Sequence, residues 1–341
     1  MFDLSRLAFW KREPVGHPSG RPLEAQAPYK PTIGLALSSG GARGLAHVGV
    51  LEVLEEEGIE VHAIAGSSMG AYIGALWAAG FSGKQLEELA SEMQDNRKMW
   101  KLADPLIPPL KGLFRGEKAK HHLERSIGSL KIEDLARRLM IITFDLDTCE
   151  RLVVRSGSMA DAVHASCAMP GVIAPVLFKG RRCSDGGVVD PVPVGALRRY
   201  GNVDKIIAVS TLPTIAEVEA GCCRPEHEAN PSWWHRGTDV INRHANPLAP
   251  GNIGDTFRKS IRAAQIRLAD DSCRRADLSL HPPYVKARWH EYSRFEHFIE
   301  AGRKIAREHL DEIRALAGMP SPTSNSHDSK PDNLVVGERV A

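Results

Sequence analysis

The chain has 341 residues, of which 43% are hydrophobic and 25% charged, and its formal net charge is +2. Such a composition is that of a globular protein with enough chain for a large core. The balanced charge, with no basic cluster paired with stacking aromatic residues, argues against a nucleic-acid partner. The scattered cysteines form no C-x-x-C pair, which argues against a disulfide framework or a zinc site and favours a reducing compartment, the cytoplasm.

The amino-terminal stretch 1–30 is predicted to be an extension and linker. It opens with MFDLSRLAFWKREP, which mixes apolar and basic residues but lacks the hydrophobic core and cleavage site of a signal peptide. This opening is either a short interfacial anchor or a mobile start that packs on the domain or stays disordered. The second interpretation is favoured because so short a helix binds a membrane only weakly. No apolar run in the chain reaches transmembrane length.

From Thr32 onwards, strands and helices alternate. A buried strand is predicted over 32–38, followed by a glycine-rich loop and a helix over 45–57 that Gly58 ends. A second strand then runs through Ile64 into a tight turn and another helix. This order is a βαβα unit, and such units form parallel sheets whose functional sites lie at the carboxyl ends of the strands.

Further elements complete an α/β chain, and the main domain is predicted over 31–317. Helices are predicted over 82–98, 117–127, 133–138, 158–164, 255–270 and 293–316, and strands over 140–144, 152–155, 205–211 and 276–281. Residues 213–252 are predicted to be an irregular insertion, whose adjacent Trp233 and Trp234 either form exposed apolar surface or cover a core edge. Residues 318–341 are predicted to be a disordered tail.

The segment Gly66-Ser67-Ser68-Met69-Gly70 stands between an apolar strand and a helix of small residues. Gly-x-Ser-x-Gly in that setting is typical of a nucleophile elbow, where the serine sits on a sharp turn and its neighbours must be tiny. Ser68 would then lie at the amino end of a helix, whose partial positive charge favours developing negative charge. The motif alone is equally compatible with a strand-to-helix turn capped by a serine.

Two further motifs supply the base and the oxyanion donors that acyl transfer to a serine needs. The segment Gly40-Gly41-Ala42-Arg43-Gly44 follows a strand and opens a helix, so its N–H groups can point into one cavity near Ser68. The alternative, a nucleotide-phosphate loop, lacks both the Rossmann and the P-loop fingerprint. Asp185, in Asp185-Gly186-Gly187, is the candidate base, and a simple hairpin turn is the structural alternative.

In this order the motifs resemble those of bacterial patatin-like phospholipases, and most of all the RssA-like and neuropathy-target-esterase-like branch. The segments that carry the resemblance are Gly34–Leu51, Gly66–Gly70, Ala165–Gly171 and Asp185–Gly187. It covers about 31–211, with a weaker likeness through the last strand and helix. The departure is Ser39, where the family often has glycine. A serine there still has a backbone N–H to donate, so the oxyanion hole is expected to survive.

The resemblance implies a patatin-like fold, a three-layer α/β/α sandwich with a mainly parallel central sheet. It implies a serine lipid acyl hydrolase with Ser68 as nucleophile and Asp185 as base, without metal or cofactor. The substrate would be a phospholipid or lysophospholipid, reached by peripheral contact with the inner face of a membrane. The implied oxyanion hole comprises Gly40, Gly41, Ala42, Arg43 and Gly44, and the glycines that support the motifs are Gly66, Gly70, Gly186 and Gly187.

Other classes of protein stay open. A catalytically silent lipid-binding or regulatory module would keep the fold, although the intact Ser68, Asp185 and glycine loop argue against it. A conventional Ser-His-Asp carboxylesterase would use a late histidine, and the candidates are His281, His290 and His297. A nucleotide-binding enzyme is the least favoured. For Arg43, orienting a lipid phosphate, bracing the loop and simple solvation are the alternatives.

Overall fold

The structure is a computed structural model that describes residues 29–94, 104–222, 252–285, 287 and 290–320. The chain divides into the units Met1–Lys30 and Pro31–Ala341, and every element below belongs to the second. The predictions for the amino-terminal segment, for Trp233 and Trp234 and for the tail beyond 320 lie outside the described residues. Among the described residues, no helix has the length and apolarity to cross a membrane.

The strands of the described residues form one mixed sheet in the order β5-β6-β3-β2-β1-β7-β8, and β4 pairs with β3. Parallel pairing joins β1, β2, β3, β7 and β8. Antiparallel pairing joins β4 and β6 to β3, and β5 to β6. The strands are β1 (Ile33–Leu37), β2 (Val61–Ser67), β3 (Arg138–Asp145), β4 (Arg151–Val154), β5 (Val176–Phe178), β6 (Arg181–Asp185), β7 (Lys205–Val209) and β8 (Leu278–Leu280).

Helices cover both faces of this sheet. They are α1 (Ala46–Glu56), α2 (Met69–Ala78), α3 (Gly83–Met93), α4 (Glu117–Ile127), α5 (Met159–Ser166), α6 (Val194–Tyr200), α7 (Ile215–Glu219), α8 (Ile253–Cys273), α9 (Phe295–Glu308) and α10 (Leu310–Leu316). Leu35 and Leu37 pack with α1 to α5, α9 and α10, whereas Ala36 and Ala65 face α6 and α8. The expected three-layer α/β/α sandwich with a mainly parallel sheet is confirmed.

The register of β3 brings the ends of two other strands together. On one edge, β3 pairs in parallel with β2, as far as Ile142 beside Ser67. On the opposite edge, residues 141–144 of β3 pair with β4. Because β4 occupies that edge, β6, which pairs antiparallel with the end of β3, must lie on the same edge as β2. The carboxyl ends of β2 and β6 therefore meet on the same edge of β3. The last residue of β6, Asp185, pairs with Thr143, directly after Ile142.

Three element predictions are corrected by the structure. The predicted helix over 133–138 is a short 3-10 helix, Ile132–Asp134, because pairing with β2 extends β3 back to Arg138. The predicted irregular stretch 213–252 contains α7, which Thr214 begins with a capping box. The predicted long helix over 293–316 breaks at His309, which leaves helical dihedral angles (φ −106°, ψ 19°) between α9 and α10.

Helices α1 and α9 cross in direct backbone contact at two glycines. A Cβ on Gly49 of α1 would overlap the carbonyl oxygen of Ile299 in α9, and a Cβ on Gly302 of α9 would overlap that of Ala46 in α1. A larger residue at either position would separate the helices. The amino end of α1 continues directly from a 3-10 helix, Gly41–Leu45, so the crossing also supports the glycine-rich loop.

Replacing Gly70 by alanine is expected to lower the free energy of unfolding by roughly 2 kcal/mol, a typical effect of overpacking. Gly70 lies in the first turn of α2, and an added Cβ would overlap the carbonyl oxygen of Leu37 and lie 2.6 Å from that of Ser38. Backbone at the end of β1 would have to move, and side-chain rotation would not relieve the contact. Urea unfolding of the two proteins would measure the difference.

Gly74→Ala is the matched control, because it adds the same methyl group one turn later in α2. There the nearest atoms are side-chain carbons of Ile64 at 3.0 Å and Leu37 at 3.2 Å, which can shift. Equal losses of stability in Gly70→Ala and Gly74→Ala would show that the close approach of α2 to β1 is not what makes Gly70 necessary.

Candidate active site

Ser68 stands between the end of β2 and the start of α2, in a conformation that few residues adopt. Its φ is 54° and its ψ −120°, in the positive-φ region that disfavours side chains and stores backbone strain. A Cβ on Gly66 would overlap the carbonyl oxygen of Gly70, so the sharp turn needs glycine at that position. This geometry is that of a nucleophile elbow, and it leaves the Ser68 side chain only 8% exposed.

The Ser68 hydroxyl and the Asp185 carboxylate form a hydrogen-bonded pair. Ser68 Oγ donates to Asp185 Oδ2 at 2.7 Å, and Asp185 Oδ1 accepts the N–H of Gly187, also at 2.7 Å. Asp185 is 4% exposed and its own N–H donates to the Ala168 carbonyl at 3.0 Å. Residues 186–188 form a 3-10 turn after β6, while the β5–β6 hairpin turns earlier, at Lys179 and Gly180. Hydrogen bonds to both carboxylate oxygens therefore hold the Asp185 side chain in position.

Burial raises the pKa of the Asp185 carboxyl to about 6, although the hydrogen bonds from Ser68 and Gly187 lower it. The side chain remains ionised at neutral pH and is a stronger base than an exposed aspartate. A pKa close to the working pH is what proton transfer in a transition state favours.

Ser166, at the end of α5, was not recognised as a site residue from the sequence. Its Oγ accepts the backbone N–H of Ser68 at 2.9 Å and so positions the elbow. The Ala168 carbonyl that receives the Asp185 N–H also accepts the Ser184 hydroxyl, at 2.7 Å. In the sequence, the segment around Ser166 stands out only through the family resemblance, and no local pattern marks which of its atoms reach Ser68.

The glycine loop lies beside the elbow. Gly40, Gly41 and Arg43 line the same cavity as Ser68 and Asp185. A side chain on Gly40 would overlap the Thr211 hydroxyl, and Gly41 has a φ of 58°, so both positions require glycine. The other two residues of the predicted oxyanion hole, Ala42 and Gly44, do not line this cavity. The Ala42 side chain is buried in the core, and Gly44 packs against the Met69 side chain.

Three polar residues near the loop are committed to structural contacts. The Ser39 N–H donates to the Pro191 carbonyl at 2.9 Å, so it is not directed at the cavity, contrary to the expectation from the sequence. His47 Nε2 donates to the Ser38 carbonyl at 2.9 Å, and burial lowers the pKa of this ring to about 4. The Arg43 guanidinium donates to the Ala287 carbonyl at 2.8 Å, which braces the loop.

A cavity of about 80 Å³ opens above the Ser68–Asp185 pair. Its volume accommodates only a handful of heavy atoms. The lining is part apolar and part basic, and its remaining members among the described residues are Ser39, Met169, Pro170, Val188, Leu212, Arg258, Ile261, Arg262 and Gln265. Of the residues that the structure describes, no histidine lines it, and this includes the candidates His281, His290 and His297.

The four lining residues between positions 258 and 265 belong to α8, and no sequence motif marks them. Their spacing places them on one face of the helix, but ordinary surface helices show the same spacing, so the sequence does not mark them as site residues. In the described part of the chain, no three His, Cys, Asp or Glu side chains come together in a way that could hold a metal ion.

Residues 35–198 match the family model of patatin-like phospholipases. The match includes the glycine loop, Ser68, Asp185 and Ser166, and it ends before β7 and α8. This part of the chain is therefore similar to patatin-like phospholipases.

Relatives with NTE in their names agree with the neuropathy-target-esterase-like branch that the sequence motifs predicted. It is 37% identical over 217 residues to an uncharacterised NTE family protein of Mycobacterium tuberculosis, a match that covers 63% of this chain and 57% of that protein. It is 25% identical over 315 residues to lysophospholipase nte1 of Emericella nidulans, covering 91% of this chain and 20% of that protein. The chain thus spans about half of the mycobacterial relative and a fifth of the fungal one.

Among solved structures, VipD from Legionella pneumophila is similar, with a TM-score of 0.41 and 14% identity over 83% of this chain and 68% of VipD. The type III effector ExoU has a TM-score of 0.39 and 15% identity over 84% of this chain and 54% of ExoU.

Proposed function

We propose that this protein is a serine lipid acyl hydrolase that cleaves a fatty-acyl ester of a phospholipid or lysophospholipid through a Ser68–Asp185 dyad. The observation that carries the proposal is the 2.7 Å hydrogen bond from Ser68 Oγ to the Asp185 carboxylate, at the floor of a cavity that the glycine loop also lines. The similarity to patatin-like phospholipases and a relative named lysophospholipase support the choice of a lipid ester.

In the first half of the reaction, Asp185 accepts the hydroxyl proton while Ser68 Oγ attacks the carbonyl carbon of the ester. The backbone N–H groups of Gly40 and Gly41 face the developing oxyanion, since the first N–H groups of a helix have no intrahelical acceptor. As the tetrahedral intermediate collapses, the C–O bond to the leaving alcohol breaks. The proton on Asp185 passes to that alcohol, and the acyl group remains on Ser68.

In the second half, water takes the place of the alcohol. Asp185 accepts a proton from the water as its oxygen attacks the acyl carbon, and the same amides hold the second oxyanion. The bond to Ser68 Oγ then breaks, the serine regains the proton from Asp185, and a fatty acid leaves. No step uses a metal ion or cofactor.

Contact with a lipid surface is part of the proposal, because the cavity encloses far less than a whole lipid. The loop after residue 104 exposes Ile107 and Leu110, and the start of α8, next to the cavity residue Arg258, exposes Ile253 and Phe257. Exposed apolar side chains of this kind are suited to peripheral contact with lipid. The cytoplasmic location expected from the cysteines stays a prediction.

Wild-type protein should release free fatty acid from lysophosphatidylcholine in mixed micelles, at a rate that depends on pH. Because Asp185 acts as a base and its raised pKa is about 6, kcat/KM should rise as pH increases through that value and level off above it. Titration of released fatty acid at fixed micelle composition would measure the profile. A flat profile from about pH 5 to 8 would exclude Asp185 as the base. Absence of release from any acyl ester by folded protein would favour the silent lipid-binding module.

A Ser-His-Asp carboxylesterase is the second candidate function, and only the Gly-x-Ser-x-Gly motif supports it. Asp185 accepts its hydrogen bond directly from Ser68, so no position remains between them for an imidazole. The dyad is therefore the arrangement that the contacts support.

A further inference from the structure

One wall of the cavity comes from α8, far along the chain from Ser68 and outside the matched residues 35–198. The helix contributes Arg258, Ile261, Arg262 and Gln265, at i, i+3, i+4 and i+7. These positions share one helix face. This face is not required by the hydrolytic chemistry described above, and two of its side chains are arginines.

The α8 wall is tied to the site by direct contacts. Gln265 Nε2 donates to the Gly187 carbonyl at 2.9 Å, and the N–H of the same Gly187 donates to the Asp185 carboxylate. Arg262 donates to the Tyr284 hydroxyl at 2.8 Å. The wall therefore has a set position relative to the reacting atoms.

Tyr284 holds two arginines at the cavity. Its ring lies 5.7 Å from the Arg262 guanidinium carbon and 5.3 Å from that of Arg43. Stacking on an aromatic ring limits the rotamers of each guanidinium at little cost in hydration. Arg262 is thus presented toward the cavity in a defined orientation.

The charge of the cavity is positive. Among the described residues, its ionisable lining consists of Arg43, Arg258, Arg262 and the single carboxylate Asp185, which accepts hydrogen bonds from Ser68 and Gly187. Arg258 pairs with Asp255 at 2.5 Å. Arg262 forms no ion pair with any carboxylate of the described residues, and its buried Nε has no hydrogen-bond partner among them. Part of the Arg262 guanidinium is therefore without a protein partner at the cavity that contains Ser68.

We propose that Arg262, assisted by Arg258, is a phosphate subsite that binds the phosphodiester of the substrate's headgroup. This inference rests on the proposed hydrolase function and narrows its substrate to phosphate-bearing lipids over neutral glycerides. A planar guanidinium matches the paired oxygens of a phosphodiester. In a lysophospholipid only the glycerol backbone separates the phosphate from the ester, so an ester at Ser68 can leave its phosphate within reach of the α8 wall.

The test compares two substrates with the same acyl ester, palmitoyl lysophosphatidylcholine and monopalmitoylglycerol, in the same mixed micelles. Arg262→Gln should lower kcat/KM for the lysophospholipid about 10- to 100-fold, mainly through KM, because one charge-assisted contact is lost. The rate on monopalmitoylglycerol should stay within about twofold of wild type, since that substrate has no phosphate. Arg262→Lys should recover part of the loss, because it keeps the charge but not the planar fork.

Arg267→Gln is the matched control, because Arg267 is exposed on α8 and does not line the cavity. It should change neither rate. Equal losses on both substrates in Arg262→Gln would overturn the subsite and leave the hydrolase proposal intact. Failure of the hydrolase proposal would look different, since wild-type protein would then cleave neither ester.

Calorimetric titration with glycerophosphocholine tests the proposed phosphate subsite even if the protein hydrolyses neither ester. Binding to wild type that Arg262→Gln weakens at least about tenfold supports a headgroup site. Equal binding to both proteins would overturn it. Inorganic phosphate that binds as tightly as glycerophosphocholine would assign the site to free phosphate and would also overturn the headgroup assignment.

Discussion

Ser68→Ala is expected to lower kcat/KM for a lysophospholipid by about 10⁴-fold or more, the scale on which serine hydrolases lose activity without their nucleophile. It should also abolish labelling by a fluorophosphonate ester. The substitution removes the attacking oxygen but keeps the Cβ, so the strained turn at φ 54° is unchanged. Fatty-acid release and probe labelling, measured on protein with a wild-type circular dichroism spectrum, would test it.

Ser67→Ala provides the matched control for this experiment. Ser67 is the preceding residue and is fully buried, yet its Oγ has no hydrogen-bond partner among the described residues. Its hydroxyl should therefore be dispensable, and activity should stay within about threefold of wild type. Labelling that persists in Ser68→Ala and disappears in Ser67→Ala would place the nucleophile one residue earlier and refute the assignment.

Asp185→Asn is expected to lower kcat/KM by about 10³-fold or more, because an amide cannot accept the serine proton. The fold should not lose stability. The folded-state pKa of Asp185 is raised above the unfolded value, so its carboxylate destabilises the native state above about pH 6, and this effect disappears below the unfolded pKa near 4. Each pKa unit corresponds to about 1.4 kcal/mol, so removing the charge could add up to roughly 3 kcal/mol at neutral pH. Thermal unfolding and fatty-acid release would be measured together.

Asp190→Asn is the control for Asp185→Asn, since it changes another buried aspartate after the same turn. Asp190 pairs with Arg151 at 2.6 Å and does not line the cavity, so activity should be retained. Alanine variants of His281, His290 and His297 should be active as well. Full activity in Asp185→Asn, with loss in one histidine variant, would replace the dyad by a Ser-His-Asp mechanism.

Local signals made much of the fold predictable. Helix α4 was predicted at its observed bounds, 117–127, and Ser82 begins α3 with the capping box that its sequence indicates. The elbow could be placed because its glycines lie within two residues of Ser68. In each case the residues that determine the conformation are neighbours in the chain, so a short pattern contains the information.

Distant contacts in the site could not be predicted in the same way. The meeting of Ser68 with Asp185 depends on the register of β3, which pairs with both β2 and β6 on one edge. The α8 wall depends on which face of an ordinary amphipathic helix turns inward. The Ser39 N–H looked free in the sequence because its acceptor, Pro191, lies far along the chain.

The crossing of α1 and α9 has a consequence for the time at which the site forms during synthesis. Gly49 is translated long before Gly302, so the face of α1 that carries it stays uncovered until α9 leaves the ribosome. During that interval the glycine loop at the amino end of α1 lacks the helix that supports it. The nascent chain already contains both Ser68 and Asp185 at that stage, but the glycine loop proposed to bind the oxyanion lacks the support of α9 until that helix docks. A lipid hydrolase of the proposed kind would thereby stay inactive while it is being made.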